Sequence, residues 1–269
     1  VGQSISVSYV WSTELMESIS SIRDRIRNTQ TQELAQLIAG YEADPRDGVQ
    51  KLLGSAEKRI EALHKELERT EKMKLYEHQY AAKGYICGID EVGRGPLAGP
   101  VMAGAVILPA DCDILYLNDS KQLSEKKREE LYDIIMEKAV ATGIGMSDPQ
   151  RIDEINILQA DYEAMAQAVG RLCVQPDVLL IDAVHIPQLE RFEQVSIIKG
   201  DAKSISIAAA SIIAKVTRDR LMKELDASYP EYGFAQNKGY GSADHIAALK
   251  KYGPCPIHRR SFIGHFIPQ

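Results

Sequence analysis

Three apolar runs of strand length deliver carboxylates at or just past their carboxyl ends. Residues 85–90 end in Asp90 and continue into Glu91, 178–181 run into Asp182, and 195–198 pass through Lys199-Gly200 into Asp201. In open α/β sheets that edge is where ligands collect. An acid behind an apolar strand is half-buried, and unpaired buried charge is costly unless a cation compensates it. Oxygen ligands without His or Cys suit Mg²⁺ or Mn²⁺ and not zinc. Two such ions about 3.5–4 Å apart stabilise both the attacking and the leaving oxygen of an in-line phosphoryl displacement. One strand-end Asp is an ordinary turn former; four acids on three strands favour a metal site.

The strands belong to an α/β pattern that begins at Lys83-Gly84, where the apolar period changes from helical to alternating. Further strands are expected over 101–108 and 139–146, and helices over 124–138, 153–172, 204–227 and 243–252. Strands followed by strand–helix alternation predict a mixed five-stranded sheet flanked by helices, with a C-terminal helical region. Upstream, residues 1–83 read as a small all-α extension. Thr13 caps a helix over 14–28, a second covers 31–42, and a third runs from 48 to about 80 with Lys/Arg and Glu alternating. The expected division is therefore a helical extension, 1–83, and a catalytic-type domain, 84–269. The extension carries no catalytic pattern; it is a substrate or partner contact, or inert.

A net charge of −6 speaks against a nucleic-acid partner, yet the average hides an asymmetry: −1 over residues 1–83, −10 over 84–198 and +5 over 199–269. An acidic, cation-binding centre followed by a basic, anion-binding end fits that distribution, as do plain solvated helix faces. Cys87, Cys112, Cys173 and Cys255 form no C-x-x-C pair, which argues against a zinc ribbon and a disulfide framework. No stretch is apolar enough to cross a bilayer and no charged-then-apolar leader opens the 269 residues, so the expectation is a cytoplasmic protein with reduced thiols.

Rival chemistries fail on particular residues. Gly93-x-Gly95-x-x-Ala98 matches a dinucleotide-binding fingerprint, but Pro96 and Pro100 interrupt it and a strand, not a helix, follows. There is no G-x-x-x-x-G-K-[ST] and no G-x-S-x-G. Glycoside hydrolysis needs two carboxylates, leaves the others idle, and finds little aromatic platform in a chain with one Trp. The basic end offers Lys199, Lys203, Lys215, Arg218, Arg220, Lys238, Lys250, Lys251, Arg259 and Arg260 for phosphates, and Tyr240 between glycines for stacking on a sugar or base. Each alone also reads as packing or surface. Gly93 and Gly95, lacking Cβ, let backbone approach a ligand directly after the acids, where it can read a ribose 2′-OH.

These residues resemble bacterial ribonuclease HII. The similarity lies in the run from Gly88 to Pro100, in Asn118-Asp119-Ser120-Lys121-Gln122-Leu123, and in Leu180-Ile181-Asp182-Ala183. It continues through Ile198 to Ser204, Ala208 to Arg220, Lys238-Gly239-Tyr240-Gly241 and Ile257 to Phe262, in the family's order over about residues 84–266. The resemblance implies an RNase H-like fold. It also implies Asp90, Glu91, Asp182 and Asp201 as catalytic metal ligands for Mg²⁺ or Mn²⁺, two ions together. Gly93, Arg94 and Gly95 would sense the 2′-OH at an RNA–DNA junction, Tyr240 would stack on the adjoining deoxyribose, and Lys121 and Lys203 would contact phosphate. His258 and Asp219 lie in matched blocks and are read as structural.

By the same resemblance the substrates are RNA–DNA hybrids and DNA duplexes with embedded ribonucleotides, cut 5′ to the ribonucleotide by water to leave 3′-OH and 5′-phosphate ends. That places the chain in ribonucleotide removal and RNA primer processing, as a monomer without a membrane. Ribonuclease HIII, the sister family, differs in its glycine loop, its fourth acid and its β-rich N-terminal domain. A non-catalytic hybrid binder built on the same sheet is the alternative of a different class.

Overall fold

A computed structural model describes residues 17–267. The chain forms two compact units, Val1–Glu68 and Arg69–Gln269. The first is helical: α1 (Ile19–Asn28), α2 (Leu34–Ala39) and most of α3 (Asp47–Met73). Ile22, Ile26, Leu34, Val49 and Leu53 make its buried core. Ser18 caps α1, its side chain accepting from the Ser21 amide; the expected cap Thr13 and first turn at Glu14 lie outside the described residues. Residues 31–33 form a 3₁₀ turn ahead of α2. The third helix is also shorter than expected. It ends at Met73, and after Lys74 a separate α4 (Leu75–Tyr80) follows.

The second unit is built on a sheet ordered β3-β2-β1-β4-β5. Its strands are β1 (Ile86–Val92), β2 (Val101–Ile107), β3 (Ala141–Ser147), β4 (Val178–Asp182) and β5 (Glu193–Ile197). β1–β2 and β2–β3 are antiparallel, β1–β4 and β4–β5 parallel. The remaining helices are α5 (Glu125–Lys138), α6 (Pro149–Ile155), α7 (Ile157–Gly170), α8 (Ile205–Ser228), α9 (Phe234–Asn237), α10 (Ala243–Tyr252) and α11 (Arg260–Ile263). The single helix expected over 153–172 is thus two. Asn156 breaks it at φ 71° and caps α7, its side chain accepting from the Leu158 and Gln159 amides, a role Asn fills because its short polar chain tolerates the left-handed region.

α7 and α8 pack on opposite faces of the sheet. Ile89, Ala103, Leu179 and Ile181 meet Ala164, Met165 and Ala168 of α7. Val106 packs with Ala208–Ala210 and Ile213 of α8. Both helices approach unusually close because small residues face each other: a Cβ on Gly88 would drive into the Ser206 carbonyl, and one on Gly145 into that of Ala164. The alanine-rich start of α8 is therefore buried against β1 and β2, which fixes what stands above their ends.

Candidate active site

Strand register assembles the acids. β1 and β4 run parallel with Ile89 opposite Ile181, so Asp90 and Asp182 come level one residue later. Carboxylate oxygens of Asp90, Glu91 and Asp182 lie within 4.8 Å of one another. Asp201 does not join that triangle. β5 stops at Ile197, four residues short of it, and Asp201 rides a 3₁₀ turn, Gly200–Ala202. The turn is tied in by the Gly200 amide, which donates to Asp182 Oδ1 at 2.7 Å. Lys199 enters the turn at φ 58°.

The electrostatics are those of crowded, partly buried carboxylates. Burial, then the charge of Glu91, hold the Asp90 carboxyl well above its ordinary value, with Asp182 and Asp201 adding to the shift. Burial, with Asp119 and Asp182, pushes Asp201 up to about 6. Lys121 is the mirror image. Partial burial lowers it, but Asp90, Asp119, Asp201 and Glu91 together hold it above its ordinary value. Three clustered carboxylates with a fourth beside them and no His or Cys among them fit a hard divalent cation. Asp119, which caps the turn at Ser120–Gln122 by accepting from the Lys121 amide, belongs to this field, although no role was expected of it.

The glycine loop leaves β1 beside the acids. Gly93 sits at φ 93°, and a Cβ there would collide with Arg218. Leu97 and Ala98 donate to the Gly239 carbonyl, which stitches the loop to the Tyr240 segment; a Cβ on Gly95 would stand 3.9 Å from Tyr240 Cε1. Tyr240 is 43% exposed. Arg94, Gly95 and Tyr240 therefore share one surface next to Glu91, and Gly93 is buried behind them. Lys203 is exposed on the turn of Asp201, and its side chain pairs with no other described residue.

Two expected phosphate contacts have a different place. Arg218 and Arg259 are fully buried and cannot reach a phosphate. Arg218 donates to the carbonyls of Pro100 (2.9 Å), Ala98 (3.2 Å) and Lys238 (2.9 Å). Arg259 donates to those of Gly99 (2.9 Å), Arg94 (3.0 Å) and Gly93 (2.5 Å). Two rigid guanidinium forks hold the inner wall of the loop by its carbonyls. Burial, then Arg218, pull Arg259 down to about 9. Composition marked these arginines as basic; only burial distinguishes a scaffold from a surface. Lys215 and Arg220 are likewise engaged, with Asp219 and Glu129.

Comparison with known proteins agrees with this arrangement. The family described as Ribonuclease HII matches residues 87–265, and the Ribonuclease HII N-terminal domain matches 18–81. A ribonuclease HII of Lachnoclostridium phytofermentans is 66% identical over 83% of this chain and 87% of its own length. One from Acetivibrio thermocellus is 51% identical over 93% and 98%. The crystal structure of ribonuclease H2 from Pyrococcus horikoshii is similar at a TM-score of 0.57 and 29% identity, covering 69% of this chain and all of that one. A mixed sheet carrying clustered acids at its edge, matched along most of its length to these sequences, is a ribonuclease H hydrolase, and the chain belongs to the ribonuclease HII family.

Proposed function

We propose that this enzyme cuts the RNA strand of RNA–DNA hybrids and the phosphodiester 5′ to ribonucleotides embedded in duplex DNA, using Mg²⁺ or Mn²⁺. The observation that carries the reading is the approach of the Asp90, Glu91 and Asp182 oxygens to within 4.8 Å beside the glycine loop. Asp90, Glu91 and Asp182, with Asp201 alongside, are the residues that would hold two ions. Cations bound there supply Lewis-acid activation of water and neutralise charge on the phosphoryl oxygens. Water as nucleophile leaves a 3′-OH and a 5′-phosphate, so no side chain has to form a covalent bond.

The chain's own groups position the substrate. Amides of Gly93, Arg94 and Gly95 offer donors to a ribose 2′-OH, which a deoxyribose lacks. Tyr240 stacks on the adjoining deoxyribose from the same surface. Lys121, held charged over the acids, and Lys203, free on the neighbouring turn, bind phosphate.

The test is cleavage of an end-labelled DNA duplex with one embedded ribonucleotide, beside a long RNA–DNA hybrid and an all-DNA control, with Mg²⁺, Mn²⁺ or EDTA. A cut 5′ to the ribonucleotide, abolished by EDTA and by Asp90→Asn, is expected. Cleavage of the long hybrid alone overturns the loop reading, and full activity in EDTA overturns the metal site.

A further inference from the structure

Asp161 is fully buried on α7, and neither of its carboxylate oxygens accepts a hydrogen bond. Its cationic neighbour is Arg94, whose Nε stands 3.6 Å from Asp161 Oδ2. Nη1 of the same guanidinium stands 3.5 Å from Glu91 Oε1. The guanidinium donates a long hydrogen bond to Glu91 and is held by Asp161 through charge alone, so the two carboxylates share one cation and neither binds it tightly. The Arg94 backbone cannot follow its side chain, because Arg259 holds the Arg94 carbonyl at 3.0 Å. Burial, then Glu91, push Asp161 up to about 8 against the pull of Arg94, so Asp161 acts on the guanidinium as an anion above that pH. A buried carboxylate of this kind is costly, and the cost falls if a cation closes onto it. Asp161 itself belongs neither to the substrate-binding surface nor to the acid triangle.

We propose that Asp161 is a positioning residue that draws the Arg94 guanidinium inward, off Glu91, and so leaves Glu91 free to face a divalent cation. The inference rests on the reading of Glu91 as a metal ligand. With Asp161 neutralised, Glu91 is the acid that Arg94 has left, and a guanidinium seated on those oxygens competes with the cation for them. Arg94 is then an inhibitor of cation binding in the absence of Asp161 and close to neutral in its presence. Simple loss of a nearby negative charge predicts something else: weaker cation binding whether or not Arg94 is there.

The experiment is a double-mutant cycle on Mn²⁺ affinity of the full chain, run at a pH above about 8 so that Asp161 is ionised, and measured by calorimetry and by the electron paramagnetic resonance of free Mn²⁺. It uses wild type, Asp161→Asn, Arg94→Gln and the double variant. Thermal melting checks folding, and Asp161→Leu provides a second neutral side chain should the amide destabilise the helix face. Asp161→Asn should weaken Mn²⁺ binding about tenfold, Arg94→Gln should change it by less than about threefold, and the double variant should regain the affinity of Arg94→Gln. In turnover, excess Mn²⁺ should restore the kcat of Asp161→Asn, which it would not do for a packing defect. Additive effects, or unchanged affinity in both neutral variants, overturn the role of Asp161. Absence of Mn²⁺ binding by wild type overturns the metal reading of Glu91, and this proposal with it.

Discussion

His258 and His245 meet nitrogen to nitrogen, with their Nε2 atoms 3.0 Å apart in the interior beneath Tyr240. The Cys255 amide donates to His258 Nδ1 at 3.0 Å, so in the neutral ring Nε2 carries the proton and donates to His245. His245 Nδ1 then donates to the Tyr240 carbonyl at 2.9 Å. One tautomer of each ring satisfies the whole chain, and an added proton would set N–H against N–H. Burial lowers both, and burial with His245 brings His258 from 6.5 to about 4. A depressed imidazole contributes stability that is complete above its unfolded value and is lost as pH falls toward the folded one. Melting temperature should therefore fall between pH 6.5 and about 4. The fall should be shallower in His258→Gln, and a wild-type profile no steeper than the variant's refutes the relay.

The acids slope the other way. Raised carboxyls contribute stability below their unfolded value that disappears as pH rises through the folded one. In EDTA, Asp201 should cost stability progressively from its ordinary 3.8 to about 6, with Asp90 extending the loss upward. Millimolar Mg²⁺ should remove that loss, because a ligand that binds only the folded state stabilises by mass action. Calorimetric scans across pH, with and without the cation, measure it.

Asp90→Asn separates stability from activity. It removes the most buried charge of the triangle, so the metal-free protein should melt several degrees higher. Cleavage should fall by about 10³-fold or more, as when preorganised charge stabilisation is lost. A destabilised variant with normal turnover would contradict both halves.

Arg259→Met should be costly out of proportion to its size. Three loop carbonyls lose their donor at once, and breaking a buried charged network costs about 3–5 kcal/mol. Arg259→Lys should recover little, since an ammonium cannot span the three acceptors as a planar fork does. Urea denaturation gives the stability, and the ratio of cleavage at an embedded ribonucleotide to that of the long hybrid reports the loop.

Tyr240 should act through its ring. With the residue exposed and its backbone carbonyl held by His245, Tyr240→Phe should cleave at nearly the wild-type rate. Tyr240→Ala should lose about 1–3 kcal/mol of transition-state stabilisation, the worth of one aromatic stack. Equal loss in both variants would assign the hydroxyl instead.

Much of this architecture was legible in the chain. Apolar runs ending in acids located Asp90, Glu91 and Asp182, since strand periodicity and turn residues are local properties. Glycines after β1 signalled a close approach there, and the match of blocks to ribonuclease HII supplied the roles. Helix breaks were less legible: Asn156 divides α6 from α7 by a left-handed backbone that apolar spacing does not encode.

Sequence by itself determined the alternation of elements and the residue types available for chemistry, because period, caps and turn formers act over a few residues. Tertiary structure decided which charges face water. Arg94, Arg218 and Arg259 are alike in sequence. Burial makes two of them carbonyl clamps and leaves the third between Glu91 and Asp161. Asp161 looks like any polar residue on an amphipathic helix until α7 is laid on the sheet. The physical reason is that desolvation depends on neighbours far away in the chain, and desolvation sets what a charged group can do.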